Sequence, residues 1–133
     1  MIVLDTSAAV GFLAGSDDLA KDVRAALSGQ KLAAPHAVDL DCALTLRGLV
    51  QGRKLPAGEA ERALRLLAAM ALTRYSHAPP LPRIRQLRHN MRPCDAAYLA
   101  LAEALAANLV TVDSKVSKVP GIRCRVRDLR NGD

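Results

Sequence analysis

Four aspartates that lie far apart along the chain are the residues best suited to do chemistry: Asp5, Asp41, Asp95 and Asp113. Asp5 follows the apolar run Ile-Val-Leu, and Asp113 follows the run Leu-Val-Thr-Val. Buried strands of a parallel sheet read as short apolar runs, and their carboxyl ends open onto the crevice where α/β proteins bind ligands. We therefore expect Asp5 and Asp113 to lie close together at one edge of a sheet.

Three of these acids also have a purely structural interpretation. Asp5 and Asp95 stand where a helix begins, and Asp is favoured at N-caps and in first turns. The alternative for Asp41 is a surface acid like its neighbour Asp39. Carboxylates that share a partly desolvated crevice repel each other unless a cation lies between them. A cluster of more than two would therefore indicate a metal ion.

The elements that must position these acids alternate between strands and helices. Apolar runs predict strands at 1–5, 31–34, 108–112 and 122–126, and residues 73–78 are short enough to be either a strand or a connection. Apolar spacing and start signals predict helices at 7–14 and 17–27, from His36 to Gly52, from Pro56, after Pro82, and from Cys94. This alternation predicts an α/β fold with a mostly parallel central sheet flanked by helices.

Two of the predicted helices have a clear apolar stripe. In the helix that starts near His36, the stripe is Val38, Cys42, Leu46 and Leu49. In the helix that starts at Pro56, it is Leu64, Leu67 and Met70.

Length and composition limit the class of protein. A chain of 133 residues with 50% hydrophobic content predicts one globular domain over 1–133. No apolar segment is long enough for a membrane span, and no signal peptide precedes the first strand, so we expect a cytoplasmic protein without membrane contact. The three cysteines have no C-x-x-C spacing, which argues against a disulfide framework or a zinc site.

The charge balance indicates a class of partner. The net charge is +6 and the pI is near 9.7, and most of the cations are arginine, whose planar fork suits phosphate. A polyanionic partner fits this balance, although a basic surface can also serve solubility alone. Aromatic residues make up only 2% of the chain, which argues against a base-stacking platform.

The ordered set of motifs resembles the PIN-domain ribonucleases, and within them the VapC-type toxins of bacterial toxin–antitoxin pairs. The motifs are an opening IVLDTSAAV, a middle APHAVDLDCALTLRGLV, a late RHNMRPCDAAYLALAEALAANLVTVD and a short final strand. The helix D-A-x-Y-x-A-L-A that leads into L-V-T-x-D is the most specific part. The resemblance implies a three-layer PIN-like fold in a single domain.

The resemblance also implies the members of the site. It makes Asp5, Asp41, Asp95 and Asp113 the four catalytic and metal-binding acids, and it places the hydroxyls of Thr6, Ser7 and Thr111 beside them. The family usually has Glu at the position of Asp41, which leaves open whether this shorter side chain binds the ion directly or through a water. A donor set made only of oxygen suits Mg²⁺ or Mn²⁺ rather than zinc.

The implied function is a metal-dependent endoribonuclease toxin that cleaves RNA phosphodiesters with water. Its implied partners are an RNA substrate, a VapB-type antitoxin that inhibits it, and a second copy of the chain in a homodimer. The alternative is a non-catalytic PIN-like module with an impaired metal site, which would act by binding RNA or a partner. Aspartate-nucleophile phosphatases need a second Asp at the position of Ser7, and the chain has no phosphate-binding G-x-x-x-x-G-K loop.

The remaining charged residues receive weaker predictions. Four arginines that precede Asp95 would guide the RNA backbone or form an ordinary solvated helix face: Arg83, Arg85, Arg88 and Arg92. The histidines are expected to have surface or packing roles: His36, His77 and His89. The other acids are expected to be solvated surface charges: Asp17, Asp18, Asp22, Asp39, Glu59, Glu61, Glu103, Asp128 and Asp133.

Overall fold

A single parallel sheet of five strands organises the protein, for which the computed structural model describes residues 1–132. The order of the strands across the sheet is β3-β2-β1-β4-β5. Their bounds are β1 Ile2–Leu4, β2 Leu32–Pro35, β3 Leu72–Tyr75, β4 Asn108–Thr111 and β5 Val126–Asp128. The predicted surface role of Asp133 lies outside the described residues.

Within residues 1–132, six helices flank the sheet and connect its strands, which confirms the predicted three-layer α/β fold. Their bounds are α1 Thr6–Ala14, α2 Asp18–Leu27, α3 Val38–Gln51, α4 Ala57–Ala69, α5 Leu81–Gln86 and α6 Pro93–Ala104. Two short 3₁₀ turns follow β4 and β5, at Val116–Lys118 and Leu129–Asn131. Among residues 1–132, no helix combines the length and the apolar character that a membrane crossing requires.

The central position of β1 explains its uninterrupted apolar sequence. All three of its residues are buried, because helices cover both faces of the sheet and strands lie on both sides. In the pairing of β1 with β4, Val3 lies opposite Leu109 and Leu4 lies opposite Val110. The two strands run in the same direction, so the residues that follow them emerge at the same edge of the sheet.

Helix α6 packs closely on the sheet because its buried positions are mostly alanine. Every residue from Ala96 to Ala102 is buried, and the helix contacts β1, β2 and β4. The small side chains allow the helix backbone to approach the strands. Tyr98 is the one large polar-tipped side chain in this buried stretch, and only 2% of it is exposed.

The predicted position of the last strand was wrong. The strand lies at Val126–Asp128 rather than at 122–126, and it pairs with β4 so that Thr111 lies opposite Asp128. Ile122 and Cys124, which suggested the earlier position, are only half-buried and pack against the core from a loop. The strand contains Asp128, which is only 2% exposed. A charged residue is not expected in a buried strand, so the sequence did not indicate the strand at this position.

The stripe predicted for α4 was also partly wrong. The helix buries Ala60, Ala63 and Leu67, whereas Leu64 is 37% exposed. Small residues allow α4 to approach α1 and α3, so the buried face follows the alanines and not the largest apolar side chains. The stripe of α3 is correct at Val38, Cys42 and Leu46, and Leu49 is half-buried.

Candidate active site

Asp5 is the centre of a hydrogen-bond network at the carboxyl edge of the sheet. Its Oδ1 accepts from the hydroxyl of Ser7 at 2.7 Å and from the backbone N–H of Ala8 at 3.0 Å. Its Oδ2 accepts from the hydroxyl of Thr111 at 2.5 Å. Asp5 is therefore the N-cap of α1, as one interpretation of the sequence had it, and it is also joined to the end of β4.

Two hydroxyls fix the end of β1 to the end of β4. Ser7 donates to Asp5 and accepts from the backbone N–H of Val112 at 3.2 Å. Thr111 donates to Asp5 and accepts from the N–H of Asp113 at 2.9 Å. A hydroxyl has one proton to donate, and both protons are committed to Asp5, so the 3.3 Å approach of the two hydroxyl oxygens adds little. The network holds the Asp5 carboxylate rigidly.

Burial and a neighbouring charge raise the pKa of Asp5. Desolvation is the largest cause, and the negative charge of Asp113 acts in the same direction. The hydrogen bonds from Thr111, Ala8 and Ser7 oppose this change without cancelling it. A carboxylate in this environment is stabilised in its charged form by a nearby cation.

A cavity of about 390 Å³ opens at this edge of the sheet, and three of the four predicted acids line it. They are Asp5 after β1, Asp113 after β4 and Asp95 in the first turn of α6. The expected closeness of Asp5 and Asp113 is reflected in the effect of one charge on the pKa of the other. Asp95 does not cap its helix; its carboxylate lies 3.3 Å from Nε of Arg92, in an exposed pair.

Asp41 occupies a different position from the other three acids. It lies in the first turn of α3 and is half-buried, but it is not part of the cavity wall. Its Oδ2 accepts a hydrogen bond of 2.7 Å from the hydroxyl of Tyr98, which does line the cavity. The hydroxyl of Thr6 in turn donates to the Tyr98 oxygen at 2.8 Å. Burial raises the pKa of Tyr98, so this phenol stays protonated at neutral pH.

The donor set fits a hard divalent cation, although the acids do not converge on one point. Within residues 1–132, no three side chains of His, Cys, Asp or Glu are close enough to hold one ion together. The side chains that face the cavity offer carboxylate and hydroxyl oxygens, which are the donors that Mg²⁺ and Mn²⁺ prefer. Mg²⁺ keeps several of its waters and needs only one or two direct carboxylates, so a loose arrangement of acids is compatible with it.

The four candidate RNA-binding arginines differ in exposure and in the contacts that their side chains make within the protein. Arg83 is held by Glu103 through two hydrogen bonds of 2.7 and 3.1 Å, and its side chain is 17% exposed. Arg92 pairs with Asp95 at the cavity, and Arg85 is exposed. Arg88 is also exposed and donates to the carbonyl of Arg85. Arg85, Arg88 and Arg92 are thus the members available to a ligand.

Three acids that were expected to be solvated have structural roles instead, so the expectation was wrong for them. Asp39 forms a three-bond ion pair with Arg74, at 2.8 to 3.0 Å. Glu103 binds Arg83 and the backbone N–H of Arg123. Asp128 is 2% exposed and accepts from the N–H of Arg130 and the amide of Asn131. Their partners are distant in sequence or lie in a misplaced segment, so composition gave no signal for them.

Sequence reasoning assigned no role to two residues that line the cavity beside the acids. Lys115 adds a positive charge, and its backbone N–H binds Oδ1 of Asp113 at 3.0 Å. Tyr98 lies in the motif D-A-x-Y-x-A-L-A, and no role was predicted for it. A buried tyrosine hydroxyl needs a hydrogen-bond partner, so a tyrosine in a buried helix indicates a neighbouring polar group. The three histidines are exposed, and none of them lines the cavity in the described part of the chain.

Comparison with known proteins gives the family. The PIN domain matches residues 2–122 of the chain. VapC ribonuclease Mb0985 of Mycobacterium bovis is 40% identical over 126 residues, which cover 95% of this chain and 96% of that protein. Ribonuclease VapC1 of Mycobacterium tuberculosis is 36% identical over 129 residues, 96% of this chain and 97% of that one. The chain therefore belongs to the PIN-domain family, and within it its relatives are VapC ribonucleases, as its motifs indicated.

A solved structure shows the same fold at low sequence identity. The crystal structure of VapBC2 from Rickettsia felis, bound to a DNA fragment from its promoter, contains a chain that matches with a TM-score of 0.68 and 17% identity. The match covers 96% of this chain and 98% of that one. At this identity the likeness supports the fold alone.

Proposed function

We propose that this protein is a metal-dependent endoribonuclease toxin that hydrolyses RNA phosphodiesters. The observation that carries the proposal is the cavity of about 390 Å³ with Asp5, Asp95 and Asp113 in its wall. These acids come from the ends of two adjacent parallel strands and from the start of α6. The curated relatives that match nearly the whole chain are ribonucleases by name, which supports the choice of RNA as the substrate.

Mg²⁺ is the expected cofactor, with Mn²⁺ as a substitute. One or two of Asp5, Asp95 and Asp113 would bind the ion directly and the rest through its waters, and Asp41 would join them directly or through a water. A divalent ion bound there supplies charge that neutralises the phosphoryl oxygens and acidity that activates a water for attack. The hydroxyls of Ser7 and Thr111 hold Asp5 in place for this task.

The positive residues around the cavity suit an RNA backbone. Arg92 and Lys115 lie in the wall beside the acids, and Arg85 and Arg88 are exposed on the segment that precedes α6. Cations at these places offset the repulsion between the acids and the phosphates. Without aromatic stacking surfaces, phosphate contacts would supply most of the affinity.

The partner that would control this activity is a VapB-type antitoxin. The support for it is the relationship to VapC ribonucleases. An antitoxin that covers the cavity would keep RNA from the acids, and a homodimer would be the form that it binds. Co-expression with any short open reading frame found next to the gene, followed by co-purification and an RNase assay of the complex, tests this part.

The direct test of the activity is incubation of the purified protein with total RNA in Mg²⁺, with and without EDTA. We expect fragments that EDTA prevents and that the Asp95→Asn variant does not produce. Asp18→Asn is the matched control, because Asp18 is fully exposed on α2 and outside the cavity. Equal cleavage by the Asp95→Asn and Asp18→Asn variants would contradict the proposal.

A non-catalytic binding module is the second candidate, favoured by the separation of the acids. No three of them are close enough in the described residues to hold one ion together. In this case RNA would bind equally well with and without Mg²⁺, and no fragments would form. The same EDTA experiment, read by gel shift as well as by cleavage, separates the two functions.

A further inference from the structure

Tyr98 joins three helices at the edge of the cavity through its hydroxyl. It accepts a hydrogen bond from Thr6 at the start of α1 and donates one to Asp41 in the first turn of α3, while its ring is buried in α6. The two bonds measure 2.8 and 2.7 Å. The similarity to known proteins assigns no role to these two hydrogen bonds.

The direction of the two bonds is fixed by the groups that form them. An ionised carboxylate can only accept, so the single proton of the Tyr98 hydroxyl goes to Asp41. The Tyr98 oxygen then has lone pairs free, and it receives the proton of Thr6. The two hydrogen bonds are therefore donated in one direction, from Thr6 to Tyr98 and from Tyr98 to Asp41.

This arrangement selects one orientation of the Asp41 side chain. The Tyr98 hydroxyl donates to Oδ2 of Asp41. No residue within 1–132 donates to Oδ1 of Asp41, so this oxygen remains available as an acceptor. A half-buried aspartate on a helix has other side-chain orientations open to it, and a hydrogen bond to a charged group is strong enough to favour one of them. Since Tyr98 lies in the cavity wall, the selected orientation holds the Asp41 carboxylate within 2.7 Å of a residue of that wall.

We propose that Tyr98 is a positioning residue that holds the carboxylate of Asp41 next to the cavity, with Thr6 as the support of its hydroxyl. The inference rests on the proposed nuclease function, in which Asp41 is one of the four acids. Tyr98 itself touches neither the ion nor the RNA in this role; it acts through Asp41.

The test compares variants that remove one hydroxyl or one charge. Tyr98→Phe keeps the buried ring and loses only the donor, Asp41→Asn loses the charged acceptor, and the double variant loses both. The matched control is Tyr75→Phe, because Tyr75 is a half-buried tyrosine on β3 whose hydroxyl has no hydrogen-bond partner in residues 1–132. Steady-state cleavage of RNA gives kcat and KM, and calorimetric titration with MnCl₂ gives the Kd of the ion.

We expect Tyr98→Phe to lower kcat roughly 10-fold with little change in KM, and to weaken Mn²⁺ binding in parallel with Asp41→Asn. The double variant should be no worse than Asp41→Asn alone, because Tyr98 acts only through Asp41. Thr6→Ser should resemble the wild type, and Thr6→Ala should show a weaker form of the Tyr98→Phe defect.

Two results would overturn the inference. The first is a Tyr98→Phe variant with the same kcat and Mn²⁺ affinity as Tyr75→Phe. The second is a double variant in which the losses of kcat caused by the two single substitutions multiply. Failure of the proposed function is seen separately, as wild-type protein that cleaves no RNA. The Mn²⁺ titration then decides the inference by itself, and a wild type that binds no Mn²⁺ overturns it as well.

Discussion

The hydroxyl of Thr111 donates a hydrogen bond of 2.5 Å to the carboxylate of Asp5, a residue 106 positions away in the chain. Thr111 is the last residue of β4 and is fully buried, and Asp5 directly follows β1. The bond exists because β1 and β4 are adjacent parallel strands that end at the same edge. The same hydroxyl accepts from the N–H of Asp113, so one threonine orients two of the acids at the cavity.

Removal of this hydroxyl is expected to destabilise the protein. Thr111→Val keeps the volume but leaves Oδ2 of Asp5 without its donor and the N–H of Asp113 without its acceptor. The cost of such unsatisfied buried groups is about 1–3 kcal/mol in the free energy of unfolding. Urea unfolding measures it, and Thr111→Ser, which restores the hydroxyl, is the control. A Thr111→Val protein as stable as the wild type would show that the network contributes nothing.

The ion pair of Glu103 and Arg83 should make stability depend on pH. Burial acts to raise the pKa of Glu103, but the hydrogen bonds from Arg83 and from the N–H of Arg123 prevail and hold the pKa below its usual value. The folded pKa is thus lower than the unfolded one. The pair therefore stabilises the fold above the unfolded pKa of about 4.3, and this contribution is lost as the pH falls through the folded value.

Glu103→Gln tests this dependence. The difference in unfolding free energy between the wild type and this variant should be largest near neutral pH and should shrink as the pH falls below about 4. Chemical denaturation at a series of pH values measures the difference. Glu61→Gln, at an exposed position of α4, should show no such trend. A difference that is constant from neutral to acid pH contradicts the role given to the ion pair.

The arginines before α6 are expected to have two different roles, RNA binding and stabilisation of the fold. Arg85→Ala and Arg88→Ala are expected to weaken RNA binding and to reduce the salt dependence of the affinity by about one unit of slope each. Arg83→Ala should instead lower the stability of the fold, because Arg83 binds Glu103 and the carbonyl of Gly121. Filter binding across a range of salt concentrations, together with thermal unfolding, distinguishes the two. An unchanged salt slope for Arg85→Ala and Arg88→Ala would exclude their guiding role.

The three cysteines should differ in reactivity. Cys94 is exposed at the start of α6, whereas burial raises the pKa of Cys42 to about 12 and that of Cys124 to about 11. The thiolate is the reactive form, so iodoacetamide at pH 8 should label Cys94 first. Peptide mass spectrometry gives the order of labelling, and the denatured protein, in which all three react alike, is the control. Early labelling of Cys42 in the native protein would contradict its buried position.

The sequence predicted those parts of the site that depend on strand polarity. Asp5 and Asp113 follow apolar runs, and the shared edge of parallel strands brings them to one cavity. The prediction was weaker where a contact depends on two side chains of different helices. The bond of Tyr98 to Asp41 and the ion pair of Glu103 with Arg83 join positions 57 and 20 residues apart, and no periodicity encodes them.

Errors in the predicted elements have a common physical cause. Large apolar residues were taken as the mark of burial, yet α4 buries Ala60 and Ala63 and leaves Leu64 partly exposed. In the same way the apolar run at 122–126 was taken as the last strand, whereas β5 ends on the buried acid Asp128. Close packing rewards small residues, and a buried acid is tolerated where backbone and side-chain donors surround it. Both effects depend on the folded surroundings and not on the local sequence.

The most direct test of the central claim is the effect of Mn²⁺ on thermal unfolding, measured for the wild type and for Asp113→Asn, with Asp18→Asn as the control. If Asp5, Asp95 and Asp113 bind one divalent ion, directly or through its waters, saturating Mn²⁺ raises the melting temperature of the wild type and of Asp18→Asn. A concentration of 100 times the Kd corresponds to about 2.7 kcal/mol of added stability. The increase should be lost in Asp113→Asn. An equal increase in all three proteins, or none in the wild type, would contradict the claim that these carboxylates form a metal site.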